Sequence, residues 1–234
     1  PANIRRLRNW THISPAAHGR AQARERLAIP GGSVVCLHAG NVGHKQGLEN
    51  VVQCARLAAR SDPRLFFVLV GEGNRMQRIE SMVAGYALPN IRLLPLQPGD
   101  LFPSVLGAAD ILLLNQRGSV VEMSLPSKLT SYFAACRPVV AAVDARSEAA
   151  REVEASGGGI VVAPDEPKAL LATLTELADN PERGRRLGAA GHAWSQAALS
   201  PAAAMAQYDD LLQTIAGSAD LRHSGVSEPV EAGT

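Results

Sequence analysis

Two of the three lysines in this 234-residue chain stand in turn-forming loops, whereas arginine occurs 20 times. A freely exchangeable surface lysine in so arginine-biased a chain would tend to be arginine, which draws attention to Lys45 and Lys128. Lys45 lies in Gly40-Asn41-Val42-Gly43-His44-Lys45-Gln46-Gly47. Such a loop, leaving a strand and entering a helix, turns backbone N–H groups and the positive end of a helix dipole toward any anion placed there. Glycine lets the backbone approach closely, and a lysine adds a charge-assisted hydrogen bond worth about 1.5–3 kcal/mol. The loop is neither a G-x-x-x-x-G-K-[ST] nor a G-x-G-x-x-G motif, and a tight strand-to-helix turn needs glycine without any ligand. Three further loops share this double reading. Gly71-Glu72-Gly73 is one. In Pro95-Leu96-Gln97-Pro98, two prolines stiffen an apolar wall and fixed backbone groups suited to a base. In Ser124-Leu125-Pro126-Ser127-Lys128, Pro126 suits the first helical position and leaves the amides of Ser127 and Lys128 as free donors.

These loops are placed by an alternation of apolar runs and amphipathic segments. Ser33–Ala39, Leu65–Val70, Ile91–Leu94, Asp110–Leu114, Pro138–Val143 and Ile160–Val162 read as buried strands. Helices are expected at Gly47–Arg60, Asn74–Tyr86 (burying Met76, Ile79, Met82 and Val83), Pro98–Ala108, Ser127–Ala135 and Ser147–Ser156. Near-continuous apolar strands separated by helices predict an α/β fold with a doubly wound parallel sheet covered on both faces. Pro167–Asn180, Pro181–Ala198 and Pro201–Gly217 predict a helical C-terminal extension, its last helix burying Met205, Tyr208, Leu212 and Ile215. The domain reading is a linker and helix over 1–30, one Rossmann-like domain over 31–217, and a disordered tail over 218–234. In such a sheet, ligands bind beyond the carboxyl ends of the strands, where the four loops fall.

Composition excludes several classes. With 46% hydrophobic and 19% charged residues the chain can bury roughly 70–75% of its unfolded surface, so wholesale disorder is ruled out. No apolar run reaches the length of a spanning helix, and no secretory leader is expected from the first residues. Cys36, Cys54 and Cys136 are an odd, irregularly spaced set, which points to a reducing, cytoplasmic setting. The six histidines show no metal spacing and read as surface and packing residues; Glu122, an acid near the fourth loop, reads equally as surface or as a ribose contact. No G-x-S-x-G elbow is present. Net charge is +1 and aromatics are 4%, which argues against nucleic acid. Charge is uneven, however. Residues 1–30 hold six arginines and one acid, a patch that is either a solvated helix face or a peripheral contact with acidic lipid at the inner face of a membrane.

Taken in order, these loops resemble the C-terminal half of GT-B glycosyltransferases of the family-4 type, in particular the colanic-acid or exopolysaccharide branch. The resemblance rests on Gly40 to Glu49 as a block, Val70-Gly71-Glu72-Gly73, Pro89 to Pro98, Ala109-Asp110-Ile111, Leu125-Pro126-Ser127-Lys128-Leu129-Thr130-Ser131-Tyr132 and Arg137-Pro138-Val139-Val140, in register over about residues 33–165. Asn9-Trp10 resembles the linker before this half. The resemblance implies binding of a UDP- or GDP-sugar donor, with no cofactor and metal-independent transfer to a glycan or lipid-linked acceptor. Lys45 would meet the diphosphate and serve catalysis by offsetting leaving-group charge, with Asn41, Gly43 and Gly71 beside it. Leu96 and Gln97 would face the base. Ser127, Lys128 and Leu129 would form the phosphate-facing helix start. Two departures stand out: Ser131 occupies the position where many relatives hold the ribose with glutamate, and Cys136 replaces a glycine five residues on. The acceptor-binding half has no counterpart in the chain, so the expectation is a donor half inactive alone and completed by a separate acceptor-binding subunit or by the rest of a longer chain. The alternatives are a non-catalytic nucleotide-sugar sensor, favoured by Ser131 and Cys136, and more weakly a GT-B-like epimerase.

Overall fold

The structure, a computed structural model, describes residues 7–11, 13, 18–120 and 127–223, with side chains to residue 216. In chain order its elements are α1 (Arg20–Arg26), β1 (Val34–Ala39), a 3-10 turn (His44–Gln46), α2 (Glu49–Ser61), β2 (Leu65–Val70), α3 (Met76–Gly85), β3 (Ile91–Leu94), α4 (Phe102–Gly107), β4 (Ile111–Asn115), α5 (Ser127–Ala134), β5 (Val139–Ala142), α6 (Glu148–Ser156), β6 (Gly159–Val162), α7 (Pro167–Asp179), α8 (Pro181–Ala198) and α9 (Pro201–His223). The strands form one parallel sheet in the order β3-β2-β1-β4-β5-β6. The β-branched and leucine-rich runs pair as the alternation predicts, and β1, β2, β4 and β5 are almost wholly buried because helices cover both faces. One face packs on α1, α4, α5 and α6 through residues such as Leu27, Leu106, Phe133 and Val153. The other packs on α2, α3 and α7 through Val51, Ile79 and Leu174. The order of strands reverses between β1 and β4, which opens a crevice at their carboxyl ends.

Three sequence expectations change. The segment from Pro98 is helical only over Phe102–Gly107, because Pro98 to Leu101 form a turn in which Leu101 N–H donates to Pro98 O at 3.0 Å. Of the four apolar residues assigned to the buried face of α3, only Ile79 is fully buried; Met76, Met82 and Val83 sit half-buried at the edge of the core.

The largest correction concerns α9. Met205, Tyr208, Leu212 and Ile215 are exposed, at 63%, 42%, 62% and 57%. The helix lies on its neighbours through Ala204, Gln207 and Leu211, one step around its circumference, so the apolar stripe faces outward. It also continues six residues into the expected tail, through Ala219, Leu221 and Arg222, which are good helix formers. Residues 224–234 lie outside the described residues. No described helix is long and apolar enough to cross a membrane.

Within the basic N-terminal stretch, Arg20 and Arg24 make structural contacts. Arg24 donates to Ala108 O (2.8 Å) and to Asp110 (2.5 Å), and Arg20 pairs with the same carboxylate. Asp110 also accepts from Val35 N–H at 2.7 Å, so this acid pins α1 to the starts of the two central strands, β1 and β4. Arg5 and Arg6 lie outside the described residues.

Candidate functional site

A cavity of about 1030 Å³ opens at the β1/β4 crossover. Its floor is the strand ends Ala39-Gly40-Asn41 and Leu114-Asn115-Gln116. Lys45 and Gln46 line it from the 3-10 turn, and Ser127, Lys128, Thr130, Ser131 and Tyr132 from the first turns of α5. The two lysines singled out by composition therefore share one cavity.

The loop geometry explains the glycines. Gly40 (φ +121°) and Gly71 (φ +150°) occupy backbone conformations that L side chains rarely adopt. A Cβ on Gly71 would lie 1.8 Å from the Gly40 carbonyl oxygen, so the β1 and β2 loops touch backbone to backbone. Gly40 N–H donates to Val70 O (2.8 Å) and Val42 N–H to Glu72 O (2.7 Å), knitting the two loops together. Gly71 thus serves close packing behind the cavity and does not line it.

The turn that carries Lys45 is held from β4. Asn115 Nδ2 donates to Gln46 O (2.6 Å) and Gly47 O (3.0 Å). Arg117 backbone N–H donates to Lys45 O (3.0 Å), and its guanidinium Nε to His44 O (2.8 Å). All four carbonyls from His44 to Gly47 are thereby engaged, and none is left to repel an anion. Asn115 Oδ1 in turn accepts from Asn50 Nδ2 at 2.8 Å, which fixes the rotamer. Asn115 was not recognisable as a site residue in the sequence; an amide closing an apolar strand, in ILLLN, is the signal that was there.

Lys128 reaches across Gly40, its Cε lying where a Cβ on that glycine would meet it at 2.8 Å. Its Nζ sits 2.9 Å from His38 Nε2, and His38 Nδ1 lies 3.2 Å from Leu113 O. His38 is fully buried, so burial and the neighbouring Lys128 charge push its pKa well down, outweighing backbone contacts with Leu113 and Asn41. Burial pushes the Lys128 ammonium down to about 7. Beside them the Tyr132 hydroxyl accepts from Ala39 N–H (2.9 Å) and is held protonated by burial. His38 belongs to the packing histidines expected, yet its outer nitrogen meets a cavity lysine.

A further wall comes from α6 and the N-terminal segment: Glu148, Glu152, Arg8, Asn9 and Trp10 line it too. Glu152 is 5% exposed, accepting from Trp194 Nε1 (2.7 Å) and Arg8 Nε (3.4 Å), while Arg8 stacks over the Trp194 ring at 5.3 Å. Nothing in the sequence of α6 marks Glu152, because its partners Trp194 and Arg8 lie far from it along the chain. Of the residues expected at the site, Asn41, Lys45, Ser127, Lys128 and Ser131 come together. Gly43 is buried behind the turn, donating its N–H to Gln46 Oε1 at 3.1 Å. Leu129 is fully buried in the core. Leu96 is 54% exposed and lines no wall, and Gln97 instead borders a small pocket against α1 with His18 and Arg26. Glu122, Ser124, Leu125 and Pro126 lie outside the described residues. Among the described residues no three His, Cys, Asp or Glu side chains cluster so as to hold a metal ion.

Comparison with known proteins gives consistent results. A family model described as "Glycosyl transferases group 1" matches residues 19–194. The chain is 35% identical over 175 residues to the putative colanic acid biosynthesis glycosyl transferase WcaI of Escherichia coli, covering 72% of this chain and 42% of that protein. Among solved structures, HepE of Anabaena in complex with UDP and glucose superposes with a TM-score of 0.72 at 15% identity, over 83% of this chain and 51% of that one. The C-terminal domain of LpcC, a group 1 family glycosyl transferase from Francisella tularensis, superposes with a TM-score of 0.65 at 16% identity, over 80% of this chain and 96% of that domain. The chain spans less than half the length of the curated relatives it matches.

Proposed function

The chain belongs to the group 1 glycosyl transferases, and from that premise we propose that its cavity receives the diphosphate of a UDP- or GDP-sugar donor, for transfer of the sugar to a glycan or lipid-linked acceptor in exopolysaccharide synthesis. The observation that carries this reading is the convergence of Lys45, Lys128 and the first turn of α5 on one cavity at the strand crossover. A diphosphate there meets two ammonium side chains and helix amides without intrahelical partners. In the transfer, the bond between the anomeric carbon and the diphosphate oxygen breaks, and its electron pair stays on that oxygen. Lys45, exposed at the rim, and the α5 amides offset the growing negative charge. Asn41 and Ser131 are neutral hydrogen-bonding groups on the same walls, suited to sugar or ribose hydroxyls; Ser131 does this without the charge of a glutamate.

The acceptor's attacking hydroxyl must lose a proton, and we assign the group that takes it to the acceptor-binding portion that longer relatives have room for. The outward stripe of Met205, Tyr208, Leu212 and Ile215 on α9 supports such a portion, since its 3-4-3 spacing presents a continuous apolar face. The chain alone is then expected to bind donor without turnover. A thermal-shift and calorimetric screen of UDP-, GDP- and ADP-sugars tests the donor reading, which fails if none binds. Transfer to an acceptor by the pure chain would overturn the half-site reading.

A further inference from the structure

We propose that His38 is a positioning residue that draws the Lys128 side chain into the cavity wall, so that an anionic diphosphate binds there with uptake of a proton by that lysine. The inference rests on the donor reading above and concerns how the same site is regulated. Its basis is geometric. The His38 ring is fully enclosed on β1, with Nδ1–H directed at Leu113 O (3.2 Å), which leaves Nε2 as an acceptor aimed at the cavity. Lys128 passes over Gly40, where only a glycine leaves room, and ends 2.9 Å from that nitrogen. Two full positive charges at this separation, one of them on a fully buried ring, repel strongly. The pair therefore holds a single positive charge at most under ordinary conditions, and burial of Lys128 weakens even that one.

The other ionisable groups around the pair do not substitute for a bound anion. On α5, Tyr132 keeps its proton. On α6, Glu152 is engaged by Trp194 and Arg8, and Glu148 by Arg151 (2.6 Å). From the 3-10 turn Lys45 adds a further positive charge to the cavity, and Arg8 adds another from the N-terminal segment. A diphosphate is the ligand that reverses this balance, because its negative charge raises the proton affinity of Lys128 and solvent supplies the proton. The sign follows directly. Lys128 is charged in the free chain below about pH 7, so binding is strongest there and weakens as pH rises above it, up to about tenfold per pH unit.

The test is titration calorimetry with a nucleotide sugar that binds in the screen, in buffers of different ionisation enthalpy. A diphosphate esterified at both ends lacks the near-neutral ionisation of a terminal phosphate, so any proton taken up belongs to the protein. The expected result for the native chain at pH 8 is uptake of close to one proton per ligand. Lys128→Arg, permanently charged, binds without uptake. His38→Gln keeps an acceptor and keeps the steep pH profile, whereas His38→Leu releases the lysine to solvent and flattens it. Donor binding by the native chain with no proton uptake overturns this inference while leaving the donor reading intact, and failure of every nucleotide sugar to bind removes both. Should His38→Leu not fold, the contrast between the native chain and Lys128→Arg decides.

Discussion

Replacing Asn115 with alanine tests whether the site is organised from β4. The side chain is 1% exposed and makes three hydrogen bonds, donating to Gln46 O and Gly47 O and accepting from Asn50 Nδ2. Alanine removes the donor and the acceptor and leaves the buried side-chain amide of Asn50 and the carbonyl of Gln46 without these partners, while Gly47 O keeps the Asn50 backbone N–H. Each orphaned buried group costs about 1–3 kcal/mol, and water entering from the open cavity recovers part of the carbonyl's loss, so the net is about 2–4 kcal/mol. For a chain of this size that lowers the melting temperature by about 5–15 °C. The loss is not confined to stability. Without the amide, the turn bearing Lys45 is tied to the end of β4 only through Arg117, and donor affinity falls by about tenfold. Asn115→Asp is the sharper variant, because a carboxylate facing two carbonyl oxygens repels them where the amide bound them, and it should cost at least as much. Urea unfolding with calorimetric titration of a nucleotide sugar reads both effects. A denaturation midpoint and an affinity that both stay at native values in Asn115→Ala would refute the clamp.

Other perturbations separate binding from folding. Lys45→Ala weakens nucleoside-diphosphate binding by about 10–100-fold through loss of a charge-assisted bond; because the side chain is exposed, its urea midpoint stays native, and unchanged affinity in calorimetry would exclude Lys45 from the phosphate site. Gly71→Ala places a methyl group 1.8 Å from Gly40 O at φ +150°, so it should cost roughly 3 kcal/mol or more, or prevent folding, with soluble yield and chemical unfolding as readouts. Cys136→Gly has the opposite sign. Cys136 closes α5 at φ +55°, where glycine is favoured by about 0.5–1 kcal/mol, so the variant should unfold at slightly higher urea than the native chain.

The sheet was legible because its cause is local. Six apolar runs with turns at their ends leave few alternatives to a covered parallel sheet, and the strands lie within a residue or two of where periodicity put them. The α9 stripe was misread for a reason that periodicity cannot correct: an apolar face records that something should cover it, not that this chain does. At the site, Lys45 and Lys128 could be found from composition, as rare lysines in glycine- and proline-bearing loops. Asn115, His38 and Glu152 could not, since each acts through a partner 42 to 90 residues away along the chain that only the folded sheet brings near. Leu96 and Gln97 read as a wall for a base both from the flanking prolines and from the resemblance, and the chain places them away from the cavity.

This separation bears on how the family's signature strings work in this chain. Gly71 and Gly73 are in them because the β1 and β2 loops touch: a Cβ on Gly73 would lie 2.3 Å from Val42 O. Asp110 is there because it caps the backbone of Val35 and anchors α1. Cys136 shows the same principle from the other side. It stands where the resemblance implies a glycine, and its left-handed backbone accounts for a glycine there as a helix terminator with no duty to a ligand. The substitution therefore says little about lost chemistry, and it weakens the argument for a non-catalytic sensor. Ser131 differs, because it does line the cavity. A neutral hydroxyl there gives up the stronger hydrogen bonds a carboxylate makes to ribose hydroxyls, and these are worth about 1.5–3 kcal/mol each when charged. Part of that loss can be regained from the two lysines, since removing an acid near them strengthens their attraction for the diphosphate. Ser131→Glu is thus expected to gain ribose contacts and lose phosphate attraction together, leaving affinity nearer native than either change alone would.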